Sequence, residues 1–432
     1  MGLKKFLFED ESVQGITAPT DYLYVKLLRM TLRIIATWPQ TELGEKEPVY
    51  LNVFLKYFYL VATIGCQIGS YCYLRTYSDE LTMMEAGHNY IMIMMTFIDI
   101  SRITSLTFST EYRKLCKEFF TKMHLFYFKD ISEHAMATHK RVHLISHLFT
   151  LWLLFQMLFG VPLFNLVPMY YNYAAGRYKP GGTQNSTFEH SMYYQYPFDT
   201  LTEIKGYIVA NIINWILSSL CVIWFCMCDL ILLLMVFNIW GHLRMLTYTL
   251  NNFPRPSVET TITIDGGLTV TSAIYSDEEN VQIFRKLKEC VDYHRRIVEF
   301  NSKVSDVFGP MLIIYYLYHQ TSGCLLLLEC SQMTAPVLMR YLPLTIVCTQ
   351  QLIQLSVIFE LIGTESEKLP SAVYSVPWEC MSISNKKFVI FFLMNVKEPI
   401  AVKPLGIANV GVTTMASILR TSLSYFTFLR SI

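Results

Sequence analysis

Apolar residues in this chain gather in runs long enough to cross a lipid bilayer, and polar residues gather between them. The runs fall at about 50–74, 82–108, 143–169, 206–237, 307–331, 338–362 and 388–430. Each reaches the ~18 residues that a spanning helix needs. The predicted fold class is therefore all-α: a seven-span helical membrane protein. Three runs are interrupted. The second contains Glu85, Asp99 and Arg102, and the third carries Gly160, Pro162 and Pro168 in its last part. The seventh is broken by Lys397, Glu398, Pro399 and Pro404, and reads better as two helices, roughly 380–397 and 404–430.

Composition agrees. The chain is 53% hydrophobic and 16% charged, against about 25% charged residues in a soluble chain. A net charge of +1 gives no nucleic-acid footprint. The 11 cysteines are scattered, mostly inside apolar runs, and read as small buried hydrophobes rather than a disulfide framework or a zinc site. No compact apolar segment in residues 1–20 marks a cleavable signal peptide. His139, His143 and His147 share one helix face, a spacing that membrane di-iron enzymes use. No His-x-x-His-His accompanies them, and the other histidines are isolated. Neither an enzyme nor a bound cofactor or metal is expected.

Charge sets the orientation, because Lys and Arg are retained on the cytosolic side. Segments 1–49, 109–142, 238–306 and 363–387 hold 24 of them, and the alternate segments 75–81, 170–205 and 332–337 hold 4. That bias predicts a cytosolic N-terminus and an extracellular C-terminus. The sequon Asn185-Ser186-Thr187 lies in 170–205, so glycosylation at Asn185 would agree with this topology. The orientation is opposite to that of G-protein-coupled receptors. The Asp-Arg-Tyr, Cys-Trp-x-Pro and Asn-Pro-x-x-Tyr signatures of that class are also missing.

The resulting organisation has a cytosolic segment 1–49, then spans one to four over 50–237 with the extracellular loop 170–205. A cytosolic loop and anchor helix (238–306), spans five and six (307–362), an anchor segment with the first half of span seven (363–403) and a closing helix (404–432) follow. Residues 254–280 are polar and aperiodic, predicting mobility. Ser276 and Glu279 then form a capping-box pattern. After it Val281, Phe284, Leu287, Val291, Ile297 and Val298 make an apolar stripe at helical period. Helix 111–128 and segment 380–397 have the same character. Together they predict an intracellular helical anchor domain, with lipid-surface helices as the alternative.

The closing helix presents small residues at Gly406, Ala408, Gly411, Thr414, Ser417, Thr421 and Ser424. Such a face lets helices approach closely or lets hydroxyls line water. Arg420 within it requires protein or water beside it. Asp99 and Arg102, three apart, are placed to pair on one helix face, and Asp229 has no evident partner. Inverted internal repeats, the mark of many transporters, are not apparent.

The stretches VKPLGIANVGVTTMASILRTSLSYFTFLR and YSVPWECMSISNKKFVIFFLM, with the inverted seven-span topology, resemble the insect odorant receptors. Residues 406–430 look most like the moth sex-pheromone receptor branch. The related gustatory receptors end on Thr-Tyr followed by Gln-Phe, whereas Phe428-Leu429 stands here where Gln-Phe would come. The resemblance implies an odorant receptor subunit, of the sex-pheromone kind, in the plasma membrane of olfactory sensory dendrites. It further implies a hetero-tetramer with a shared co-receptor, forming a ligand-gated, non-selective cation channel whose pore is walled by the last helix of each subunit. It places the narrow hydrophobic gate at Ile418, with Ser422 and Leu423 one turn outward, and Thr421 completes the pore and gate set. It also places a cavity for a small apolar volatile among spans two to six. Candidate walls there are Tyr90, Met94 and Phe97; Trp152, Phe155, Gln156 and Phe159; Ile213, Trp215 and Ile216; and Tyr315, Tyr318 and Thr321. A seven-span receptor signalling through an intracellular partner, or a membrane transporter, is the alternative.

Overall fold

The computed structural model describes residues 16–431 except 47, 82, 180–181, 183–185, 258, 265–267, 332–334 and 407–409. Asn185, Ile407, Ala408 and the Glu85 side chain lie outside the described residues. The helices are α1 (Leu23–Ile34), α2 (Val49–Thr76), α3 (Met83–Arg102), α4 (Thr110–Glu118), α5 (Glu133–Ala174), α6 (Ile204–Asn251), α7 (Asp277–Cys330), α8 (Ala335–Ser366), α9 (Leu369–Tyr374), α10 (Ile383–Asn395) and α11 (Val412–Ser431). Among the described residues, six stretches are long and apolar enough to span a bilayer. They fall in α2, α3, α5, α6, α7 and the run that α8 opens. With 20 residues, α11 extends about 30 Å, the thickness of a hydrocarbon core.

The long helices outrun the membrane. Helix α7 has 54 residues, about 81 Å at helical rise, so more than half of it projects. Its start is fixed by the capping box the sequence predicts: Ser276 Oγ accepts the Glu279 N–H, and the Glu279 carboxylate accepts the Ser276 N–H. The projecting half buries Leu287, His294, Ile297 and Phe300 on one side. His294 meets Phe392 of α10 at 5.7 Å, and Phe300 stacks on Phe119 at 6.3 Å. Val281, Phe284 and Val298, predicted on the buried stripe, are exposed; the packed stripe is rotated toward Ile283, Cys290 and Val304. Beneath α1, the histidine stripe of α5 packs in a buried aromatic layer. Tyr22 bonds His139 at 3.0 Å, Tyr24 bonds His124 at 2.8 Å, and Tyr22 lies 4.5 Å from His143.

Three expectations change. Residues 254–280, predicted to be mobile, contain an antiparallel hairpin, β1 (Glu259–Ile264) with β2 (Leu268–Ala273); alternating Thr and Ile suit a paired strand. Gly160, Pro162 and Pro168 do not end α5, which runs through them. Within a bundle, neighbouring groups can satisfy the carbonyls a proline frees. The closing helix begins at Val412, not at 404. Pro404 lacks an N–H, and Leu405 (φ 49°) and Gly406 (φ 70°) are left-handed, so the chain cannot continue a helix there. It restarts where the Glu360 carboxylate accepts the Val412 N–H at 3.0 Å, an anion at a helix N-terminus.

Loop 175–203 folds back onto the bundle. Asn172 exchanges two hydrogen bonds with the Glu189 backbone at 2.8 and 2.9 Å. Asn214 donates to Met192 O at 2.9 Å, and the Gln195 N–H reaches Gly69 O at 3.0 Å. Hydrogen bonds from Thr202 and Leu201 hold the Asp199 carboxyl below its ordinary range. Gly206 permits this fold-back, since a Cβ there would stand 1.8 Å from Asp199 O. Gly206→Val is expected to lower the yield of monodisperse protein more than about fivefold, as backbone clashes cannot relax cheaply. Size-exclusion profiles of tagged protein check this; a wild-type profile would count against the loop's docking role.

Candidate functional site

A cavity of about 520 Å³ opens between α2, α3, α5, α6, α7, α8 and the folded loop, within the usual range for small-molecule sites. Helix α5 supplies an aromatic ladder: Trp152 stacks on Phe155 at 5.9 Å, and Phe155 lies 4.3 Å from Phe159. Helix α3 supplies Met92, Met95, Thr96 and Asp99, one face at helical spacing. From α6 come Leu217, Ser218, Cys221, Trp224 and Phe225, and from α7 comes Tyr318. The loop contributes Ser191, Met192 and Tyr194, and α8 contributes Pro343, Leu344 and Gln350 among others.

Under the cavity lies a buried charge cluster. Arg102, fully buried, donates to Trp224 O at 3.0 Å, to Phe225 O, and to the Asp229 carboxylate at 2.8 Å. Its guanidinium sits 4.3 Å from the Phe225 ring centre and 5.6 Å from that of Tyr315. The ion pair thus joins α3 to α6. This corrects the expected pairing of Arg102 within its own helix, and it supplies the partner for Asp229. A guanidinium in a low-dielectric interior takes the carboxylate that also lets its other terminal nitrogen, Nη1, reach two carbonyls.

Of the wall residues that sequence singled out, Phe155, Gln156, Phe159, Trp152 and Tyr318 line the cavity. Tyr90, Met94 and Phe97 lie on the other face of α3, roughly half exposed, and Ile216 is exposed likewise. Ile213 and Trp215 are half-buried away from the cavity. Tyr315 is buried one turn deeper against Arg102, and Thr321 is exposed with its hydroxyl on Leu317 O at 3.1 Å. The wall residues that sequence passed over had one usable signal. In a membrane helix, polar residues repeating at helical spacing mark the protein-facing side. Thr96, Asp99 and Arg102 do so in α3, and Asn214, Ser218, Cys221 and Asp229 do so in α6.

On α11, Ile418 and Ser422 are buried within the chain, and Ser422 donates to Gln320 O of α7 at 3.2 Å. Thr421 is half-buried, with its hydroxyl on Ser417 O, and Leu423 is 53% exposed. The exposed side carries Thr413, Ser417, Arg420, Ser424 and Thr427.

A model of the 7tm Odorant receptor family matches residues 82–423. The chain belongs to the 7tm Odorant receptor family. Among relatives, it is 24% identical over 148 residues to odorant receptor 85c of Drosophila melanogaster. That match spans 34% of this chain and only 38% of the relative's length. Its fold resembles that of the insect olfactory receptor OR5 from Machilis hrabei. The TM-score is 0.70 to the eugenol complex at 14% identity, covering 94% of this chain and 97% of that one. To OR5 alone it is 0.68 at 16% identity, with the same coverage. As a member of this family with six long apolar stretches among its described residues, the chain is a multi-pass membrane protein.

Proposed function

We propose that this odorant receptor binds a small apolar volatile, of the long-chain pheromone class, in the cavity between α2 and α8. With a shared co-receptor it forms a hetero-tetrameric, ligand-gated, non-selective cation channel in the plasma membrane of olfactory sensory dendrites. The N-terminus is cytosolic, the C-terminus is extracellular, and loop 175–203 with Asn185 lies outside. The projecting ends of α4, α7, α9 and α10 form the intracellular anchor. The observation that carries this reading is the cavity itself: an aromatic and methionine wall suits a flexible hydrocarbon chain, because Met repacks easily. The eugenol bound by OR5 supports a small organic ligand. On α11 the exposed hydroxyl stripe with Arg420 suits a water-filled passage better than lipid. Ile418, Thr421, Ser422 and Leu423 are the proposed gate region. There Leu423 projects outward, Ile418 is buried within the chain, and Ser422 acts through its hydrogen bond to α7.

The test is co-expression with the co-receptor in a silent cell with G-protein signalling blocked. A panel of long-chain acetates, aldehydes and alcohols is then applied. Evoked cation currents are expected, and their absence with surface protein present would overturn the channel reading. Gly160 sharpens the test: it lines the cavity, and a Cβ there meets nothing within 4 Å. Gly160→Phe is expected to lower sensitivity to the best ligand more than about tenfold by filling the ligand's space. The co-receptor's direct agonist should still open the channel. An unshifted dose–response would remove the ligand from this cavity.

A further inference from the structure

We infer that Asp99 is the head-group selector of the cavity, and that it favours a ligand bearing a hydroxyl over the corresponding aldehyde or acetate ester. The inference rests on the ligand-cavity reading above and adds the chemistry of the head group.

Most polar atoms at the buried end are already used. Thr63 donates to Tyr59 O at 2.7 Å, and Thr96 donates to Met92 O at 2.9 Å. Ser191 donates to Asn165 Oδ1 at 2.9 Å, and Tyr194 donates to Met192 Sδ at 3.2 Å. These donors are therefore committed within the protein. Asp99 lines the same end and is 4% exposed, and its Oδ1 has no hydrogen-bond partner among the described residues. The Cys221 thiol faces the same carboxyl group, but a thiol is a weak donor. The neighbouring cation does not serve Oδ1, since Arg102 is directed at Asp229 and two carbonyls.

A buried acceptor without a donor is costly to leave so. A ligand hydroxyl brings the missing proton. With the carboxyl ionised, an aldehyde or an ester brings only acceptor oxygens, which would face a carboxylate oxygen. Sites built around one such bond discriminate strongly against analogues that lack it. The hydrocarbon tail then runs along Trp152, Phe155 and Phe159. Gln156 is the rival acceptor: its Nε2 donates to Gln350, which donates to Gln354 at 2.6 Å, while its Oε1 also lacks a partner among the described residues, but a neutral amide oxygen accepts a hydroxyl more weakly than a carboxylate does.

The experiment uses the purified full chain in lipid nanodiscs. It measures the apparent affinity of dodecanol, dodecanal and dodecyl acetate by ligand-induced thermal stabilisation, which needs no channel opening. Dodecanol is expected to bind more than about tenfold more tightly than the other two. Asp99→Asn, close in size but carrying an amide donor, should bring the three within about threefold of one another. Gln156→Leu should leave the ranking in place. Equal affinities in the wild type, an unchanged ranking in Asp99→Asn, or a ranking that collapses only in Gln156→Leu would each overturn the inference. Stabilisation by none of the three would overturn the ligand-cavity reading and this inference with it. Stabilisation without ranking overturns the inference alone.

Discussion

Arg102→Met should remove most of the folded receptor, and the charge-neutral combination Arg102→Met, Asp229→Leu and Asp99→Asn should bring much of it back. Arg102 is held by a carboxylate and two carbonyls in a site without solvent. Its removal strands Asp229, and Asp99 one turn away, inside the bundle. Breaking a buried pair from one side costs about 3–5 kcal/mol, a large share of the ~5–15 kcal/mol by which a folded protein is stable. Replacing the pair with apolar groups and Asp99 with a neutral amide removes the cost of burying charge along with the attraction, which is why the combination recovers. Asp229→Leu alone should be milder than Arg102→Met, because Asp99 still lies near the stranded guanidinium. Thermal melts of detergent-solubilised protein read all three variants against the wild type. If Asp229→Leu melts with the wild type, the pair does not hold α3 to α6.

Arg102 also illustrates what sequence conveys in a membrane protein. The spans are legible because a bilayer requires long apolar runs, and the Ser276 capping box is legible because its spacing is local. The break at Pro399 and Pro404 is legible as well, since proline cannot donate. Which face of a span turns inward is harder. In water the buried face is the apolar one. In lipid both faces are apolar, so the aromatic-rich side of α3 with Tyr90 and Phe97 looks as good a wall as the side with Met92, Met95 and Asp99. Only the buried polar residues break the tie. The Arg102–Asp229 pair, 127 positions apart, depends on how α3 and α6 pack, and no local spacing encodes that. Nor does any pattern say that loop residues Met192 and Tyr194 would enter the cavity. That follows from Asn172, Asn214 and the bare face of Gly206 drawing the loop inward.

Gly323→Leu should leave ligand binding intact while cutting the ligand-evoked current more than about tenfold, within the range expected of a lost coupling of ~1–3 kcal/mol. One helix carries both ends of the proposed signal. Tyr318 of α7 lines the cavity. Two residues on, Gln320 O accepts the Ser422 hydroxyl of α11. One turn beyond Gln320, Gly323 faces Ser422 so closely that a Cβ would lie 3.1 Å from its Oγ. A small residue at that crossing lets two membrane helices touch, and a leucine would wedge them apart. A ligand that displaces the Tyr318 turn would then no longer move α11, because the contact that transmits the displacement is gone. Ser422→Ala removes the hydrogen bond without the wedge and should cost about fivefold, as expected for one neutral bond of ~1 kcal/mol. Thermal stabilisation by the ligand and whole-cell current, measured on the same variants, separate binding from gating. Wild-type currents in Gly323→Leu, or binding lost in step with current, would mean that this crossing does not carry the signal from cavity to pore helix.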